Sequence, residues 1–145
     1  MTQLKANKQT TLRFLILLFI CTALSSCSNK VMFNTSRVVP AAEGYTKITK
    51  DDNGNKLITI EIKRLTQPTR LQPSRNLYVV WMDTKDNGLR NIGELRTGSG
   101  FFSSTLKSNF STITPFTPKR IFITAENNAD IVRPTGDTVL STDRF

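Results

Sequence analysis

Histidine is absent from this 145-residue chain, and its two cysteines, Cys21 and Cys27, both fall within the first 27 positions. The first absence removes the commonest general base, and with it the Ser–His and Cys–His nucleophile pairs. Zinc sites are built mainly from His and Cys, so neither a structural nor a catalytic zinc is expected, and no other cofactor is expected either. The second absence leaves no pair of thiols beyond residue 27, so a folded part downstream must be held by packing alone. Long apolar runs are scarce as well. Phe14–Leu24 is the main one, and it falls well short of the roughly 20 residues that a membrane-spanning helix needs.

The whole chain carries +9, yet from Cys27 onward 17 Lys/Arg stand against 11 Asp/Glu, a net of +6. The bases are scattered singly: Lys47, Lys50, Lys56, Lys63, Arg64, Arg70, Arg75, Arg90, Arg96. Nucleic-acid binders concentrate them and interleave aromatics, so no nucleic-acid partner is expected and the bases read as solvated strand faces.

What is present at the start is a basic segment (Lys5, Lys8, Arg13), the run Phe-Leu-Ile-Leu-Leu-Phe-Ile from Phe14, and small residues after it. That is the three-part layout of a secretory signal. Leu24-Ser25-Ser26-Cys27 resembles the lipobox of bacterial lipoproteins, an aliphatic residue and two small ones before Cys. The resemblance implies a cut before Cys27, with Cys27 as the lipidation site and the bilayer as a partner. Stable anchoring by two or more acyl chains fits it, since one chain binds only reversibly. Three segments follow: a signal peptide over 1–26, a flexible lipid-anchored tether over 27–43, and a folded domain over 44–145. The expected location is the cell envelope, with Ser28 after the cysteine pointing to an outer membrane and a periplasm-facing body.

From Gly44 the text is that of strands. Tyr45–Lys50 alternates, Asp51-Asp52-Asn53-Gly54-Asn55 reads as a hairpin turn with Asn-Gly at its centre, and Lys56–Arg64 places Ile58, Ile60 and Ile62 on one face. Thr66–Arg75 holds Pro68 and Pro73 and reads as a connection. Asn76–Asp83 is apolar on both faces, as a central strand covered on both sides would be. Leu89–Arg96, Phe101–Phe110, Lys119–Glu126 and Thr138–Ser141 complete about seven strands. The fold class is therefore all-β, a single antiparallel β-sandwich of immunoglobulin-like size.

Tyr78-Val79-Val80-Trp81-Met82, Gly88, Ile92-Gly93, Ile123-Thr124-Ala125-Glu126, Pro134-Thr135-Gly136 and Val139-Leu140 together resemble the extracytoplasmic C-terminal domain of anti-sigma-K factors. The resemblance covers about Tyr45 to Ser141. It implies a β-sandwich outside the cytoplasm, without the sigma-binding part, because the His/Cys zinc motif and the cytoplasmic domain that bind the sigma factor have no counterpart here. Trp81 reads as a core anchor.

For surface chemistry, Tyr78, Met82, Phe101, Phe102 and Phe110 are the candidate aromatic and apolar interaction surface, for an envelope protein or a glycan. The alternative is that one of the adjacent pair Phe101-Phe102 points into the core and the other out. A non-enzymatic binding, sensing or structural module is the leading expectation. An envelope hydrolase working on glycans through two of Asp83, Asp86, Glu94, Glu126 and Asp130 is the second. Asp51–Asn55 lacks the spacing and terminal Glu of a calcium loop and reads as a turn. Ser99, Ser103 and Lys107 have nothing in the sequence to bring them together as a Ser–Lys pair.

Overall fold

The alternation at Ile58, Ile60 and Ile62 ends in a core shared by two antiparallel sheets. The computed structural model describes residues 30–98 and 107–145. Among these, nine strands run in chain order: β1 (Lys30–Met32), β2 (Glu43–Lys50), β3 (Lys56–Lys63), β4 (Leu77–Thr84), β5 (Leu89–Leu95), β6 (Thr97–Gly98), β7 (Lys107–Thr114), β8 (Pro118–Glu126) and β9 (Thr138–Ser141). One sheet has the order β1-β2-β3-β7-β6 and the other β5-β4-β8-β9. Every pairing is antiparallel. The all-β class holds, and among the described residues the one helical feature is a single 3-10 turn at Pro68–Arg70, inside the connection marked out by its prolines.

The two sheets meet through their alternate residues. Ile58, Ile60 and Ile62 of β3 face Tyr78, Val80 and Met82 of β4, together with Ile121, Ile123 and Leu140, all essentially without solvent exposure. Each such aliphatic side chain contributes about 1.5–3 kcal/mol by leaving water. β4 lies between β5 and β8, and its other face buries Val79 and Trp81 against Phe122 in a second cluster. Both faces are covered, as its composition demands.

The β2–β3 hairpin forms, with Thr46 opposite Ile60 and Lys50 opposite Lys56. Its turn works differently from a two-residue Asn-Gly bend. Gly54 alone takes positive φ, and the Asp51 carboxylate accepts hydrogen bonds from the Asn53 and Asn55 amides and from Asn55 Nδ2. The Asn55 side-chain bond is the main reason the Asp51 carboxyl is held below its ordinary range.

Two expected boundaries move. Residues 30–43 are built into the body, not a tether: β1 pairs with β2, and Phe33, Val39 and Ala42 are buried. Phe33 bridges to Thr142, and Ser36 Oγ accepts from the Val38 and Val39 amides, so this irregular stretch has partners for its backbone. The strand expected at Phe101–Phe110 appears as β7, Lys107–Thr114; its first part, with Phe101 and Phe102, lies outside the described residues.

Gly93 is required where the sheets approach. Its φ of +135° sits beside a register shift opposite Val80/Trp81, and an added Cβ would meet the Phe110 ring at 2.9 Å.

Candidate functional site

Two places in the body bring polar chemistry together. The first is on the outer face of the β5-β4-β8-β9 sheet. Successive outward positions of β8 are Arg120, Phe122, Thr124 and Glu126, and those of β4 are Leu77, Val79, Trp81 and Asp83, so the strand period stacks them in cross-strand pairs. Arg120 bridges Asp83 at 2.8 Å and lies over Phe122, which stacks on Trp81 with ring centroids 6.3 Å apart. Trp81 Nε1 donates to Thr124 Oγ1 at 2.8 Å, and that hydroxyl donates to Glu126 Oε1 at 2.7 Å.

Glu126 is 1% exposed and closes the network. Its carboxylate also accepts from the Thr135 amide at 3.0 Å, from Thr135 Oγ1 at 2.6 Å and from the Gly136 amide at 3.0 and 3.1 Å. Burial pushes the carboxyl up, but the hydrogen bonds from Thr135, Thr124 and Gly136 outweigh it and hold it below the ordinary value of 4.5. Gly136 must be glycine for this, since a Cβ would overlap the Ala125 carbonyl oxygen. The clamp ties the connection between β8 and β9 to the sheet, and Asn91 Nδ2 reinforces it with bonds to the Ala129 and Ile131 carbonyls. Asp83 and Glu126, two of the candidate catalytic acids, are thus engaged within the fold. Asp86 and Asp130 are exposed on connections and Glu94 is exposed on β5.

The second place is one end of the sandwich. A cavity of about 820 Å³ opens between β1–β3 and the start of β8, lined by Lys30, Val31, Ile48, Thr49, Lys50, Lys56, Thr117, Pro118 and Phe145. Its walls are apolar and its charged side chains are all lysines. At the opposite end, a cavity of about 530 Å³ mixes Arg37 and Arg70 with Asp137. Lysines that are scattered along the sequence are therefore gathered in space. Lys30 stands directly opposite Lys47, and Lys50 directly opposite Lys56. Like charges so placed across a sheet repel and destabilise it. The ion pairs among the described residues belong to Arg64, Arg120 and Arg144, not to these lysines.

Of the expected aromatic and apolar surface, the described members are drawn inward. Tyr78 and Met82 are fully buried in the inter-sheet core. Tyr78 Oη donates to the Thr66 carbonyl at 2.8 Å, and burial pushes its hydroxyl up to about 12. Phe110 is half-buried against the same core. A strand flanked on both sides presents one face to the opposite sheet, and β4 presents Tyr78, Val80 and Met82. Phe101, Phe102, Ser99, Ser103 and Cys27 lie outside the described residues. The lysine-lined cavity went unread in the sequence because its members come from three strands and two distant segments. The two Lys–Lys pairings become visible only once register is known.

No family description, curated protein or solved structure matches the chain.

Proposed function

We propose that this chain is a lipid-anchored protein of the bacterial cell envelope. Its folded part is an immunoglobulin-like sandwich that serves as a non-enzymatic binding, sensing or structural module. The observation that carries the anchoring is the position of Leu24-Ser25-Ser26-Cys27 after a basic start and an apolar run, three residues before the first strand at Lys30. The immunoglobulin-like reading draws support from strand order. With β2, β3, β7 and β6 as A, B, E and D, and β4, β8, β9 and β5 as C, F, G and C′, the two sheets follow that fold's arrangement. The inter-sheet disulfide of antibody domains has no counterpart, and Trp81 faces outward from the shared core. The likeness to the anti-sigma-K C-terminal domain draws support from the clamp, where Trp81, Thr124, Glu126, Thr135 and Gly136 of the quoted motifs converge.

The module works outside the cytoplasm, on the outer membrane facing the periplasm, against an envelope protein or glycan. Anchoring raises its effective concentration near such partners even where intrinsic affinity is weak. Fractionation of cells producing the wild type and Cys27→Ala, with mass spectrometry of the mature amino terminus, tests the anchor. The wild type is expected in detergent-extracted membranes with a lipid on Cys27, and the variant in the soluble fraction. An unprocessed Met1 terminus, or a variant that stays with membranes, would refute it. Crosslinking in intact cells tests the module; recovery of the free monomer alone under several growth conditions would count against partnership.

A further inference from the structure

We propose that the lysine-lined end of the sandwich is a docking face for an anionic phospholipid surface, so that the anchored body rests on its bilayer in one orientation. The inference rests on the lipid anchor at Cys27 and adds a second, non-covalent contact to it. Two independent features carry it. The first is reach. Cys27 precedes Lys30 by three residues, and a fully extended chain spans at most about 3.6 Å per residue, so the anchor and the start of β1 stay within roughly 11 Å. Whatever adjoins Lys30 is therefore held near the headgroups.

The second is charge. Lys30, Lys50 and Lys56 line the cavity there, with Lys47 opposite Lys30 on the sheet. The Lys30–Lys47 and Lys50–Lys56 pairings leave positive charge against positive charge, which a phosphate placed between them relieves. The acidic neighbours are Asp51 and Asp52 in the adjoining turn and, on the outer face, Glu61, which stands opposite Tyr45 and diagonal to Lys47. Asp51 is occupied by the Asn53 and Asn55 amides and the Asn55 side chain, and Asp52 is exposed in the same turn. Phe145 lines the same cavity and is 45% exposed, and Ile48, Val31 and Pro118 form an apolar wall into which lipid chains can settle behind the headgroups. Lys30 is poised over the Tyr45 ring, 4.3 Å from its centroid, on the outer side of the rim. An array of lysines around an apolar concavity matches a membrane surface in both charge and shape.

The test uses the mature lipoprotein in vesicles of phosphatidylcholine, with and without phosphatidylglycerol. An environment-sensitive fluorophore is placed at Thr117→Cys, on the cavity rim, or at Ser74→Cys, near the far end of β4. Eight residues of β4 at about 3.3 Å each separate the two ends. Quenching by lipid-borne quenchers is expected at Thr117 and not at Ser74. It should depend on phosphatidylglycerol and be abolished by high salt, which screens these contacts. Lys30→Gln, Lys50→Gln and Lys56→Gln should each weaken the docked population about fivefold, and the triple variant about a hundredfold. The salt response of the wild type gives the answer even if the triple variant folds poorly. Equal quenching at both ends, or quenching indifferent to phosphatidylglycerol and salt, would overturn the docking. Mass spectrometry of the same preparation separates the two claims. A lipidated Cys27 with an unquenched Thr117 probe refutes docking alone, whereas an unmodified Cys27 refutes the anchor and the docking with it.

Discussion

Glu126→Gln isolates the clamp on the outer face of the β5-β4-β8-β9 sheet. The carboxylate receives five hydrogen-bond contacts, all of them from donors: the Thr124 hydroxyl, the Thr135 amide and hydroxyl, and the Gly136 amide twice. Thr124 Oγ1 already accepts from Trp81 Nε1, and accepting from a second donor would turn its own proton away from the carboxylate that now takes it. A glutamine keeps the shape but turns one acceptor into a donor, which faces the Gly136 amide in either orientation, together with the Thr124 hydroxyl and Thr135 amide at the Oε1 position or the Thr135 hydroxyl at the Oε2 position. Hydrogen bonds to a charged group contribute about 1.5–3 kcal/mol each, and an orphaned buried donor costs about 1–3 kcal/mol. Losing one bond and weakening its neighbours should therefore cost roughly 2–4 kcal/mol at neutral pH.

Trp81 is the sole tryptophan and is fully buried beside the clamp, so its fluorescence reports unfolding directly. With a urea slope of about 1–3 kcal/mol/M, the variant's midpoint should fall by about 1–2 M. Because the folded carboxyl titrates below its unfolded value near 4.5, the network's contribution is complete above that pH. It is lost as the pH drops through the folded-state value. The gap between wild type and variant should therefore be constant around neutrality and shrink in acid. A neutral-pH gap under about 0.5 kcal/mol, the scale of an ordinary surface change, would refute the assignment. So would a gap that widens on acidification.

Two further substitutions probe the sheets. Gly93→Ala forces a side chain into φ +135° and against the Phe110 ring, and should cost about 2–4 kcal/mol in urea unfolding. Adding Phe110→Leu should recover the steric part and leave the backbone strain; a Gly93→Ala midpoint equal to wild type would contradict both. Ile60→Ala, at a fully buried position, should lose about 2–5 kcal/mol, while Ile113→Ala, 62% exposed on β7, should stay within about 0.5 kcal/mol. Comparable losses at the two positions, measured by thermal or urea melts, would mean that the faces are assigned the wrong way round.

What could be read from the residues follows from how much of each contact is local. β3 declares itself, because Ile58, Ile60 and Ile62 alternate with Thr59, Glu61 and Lys63 and the adjoining turn is rich in Asp, Asn and Gly. β4 declares itself by being apolar on both faces, which only a covered central strand tolerates. β7 does not, since its inward residues are Ser108, Phe110, Thr112 and Thr114, a set with no hydrophobic alternation. Nor does the segment from Lys30 to Ala42, where Phe33, Val39 and Ala42 are buried at irregular spacing and held by a bridge to Thr142 more than a hundred residues away.

The candidate site divides along the same line. A period of two places Tyr78 and Met82 on one face with Val80, but whether that face meets solvent or a second sheet depends on Ile58, Ile60 and Ile62, which lie on another strand. Glu126 offers a local hint: it follows the largely apolar run Ile121–Ala125 in phase with Thr124, and the Pro134-Thr135-Gly136 turn supplies amides a few residues later. A buried carboxylate needs several donors, and a turn held by glycine can bring its amides close enough to provide them. The lysines offer no such hint. Lys30 and Lys47 become neighbours only through a three-residue strand pairing that their own sequence does not announce, and Lys50 and Lys56 only through the hairpin. A cluster made by register is electrostatically costly to the isolated fold, and in this sandwich it stands at the one end from which a lipid anchor at Cys27 would emerge.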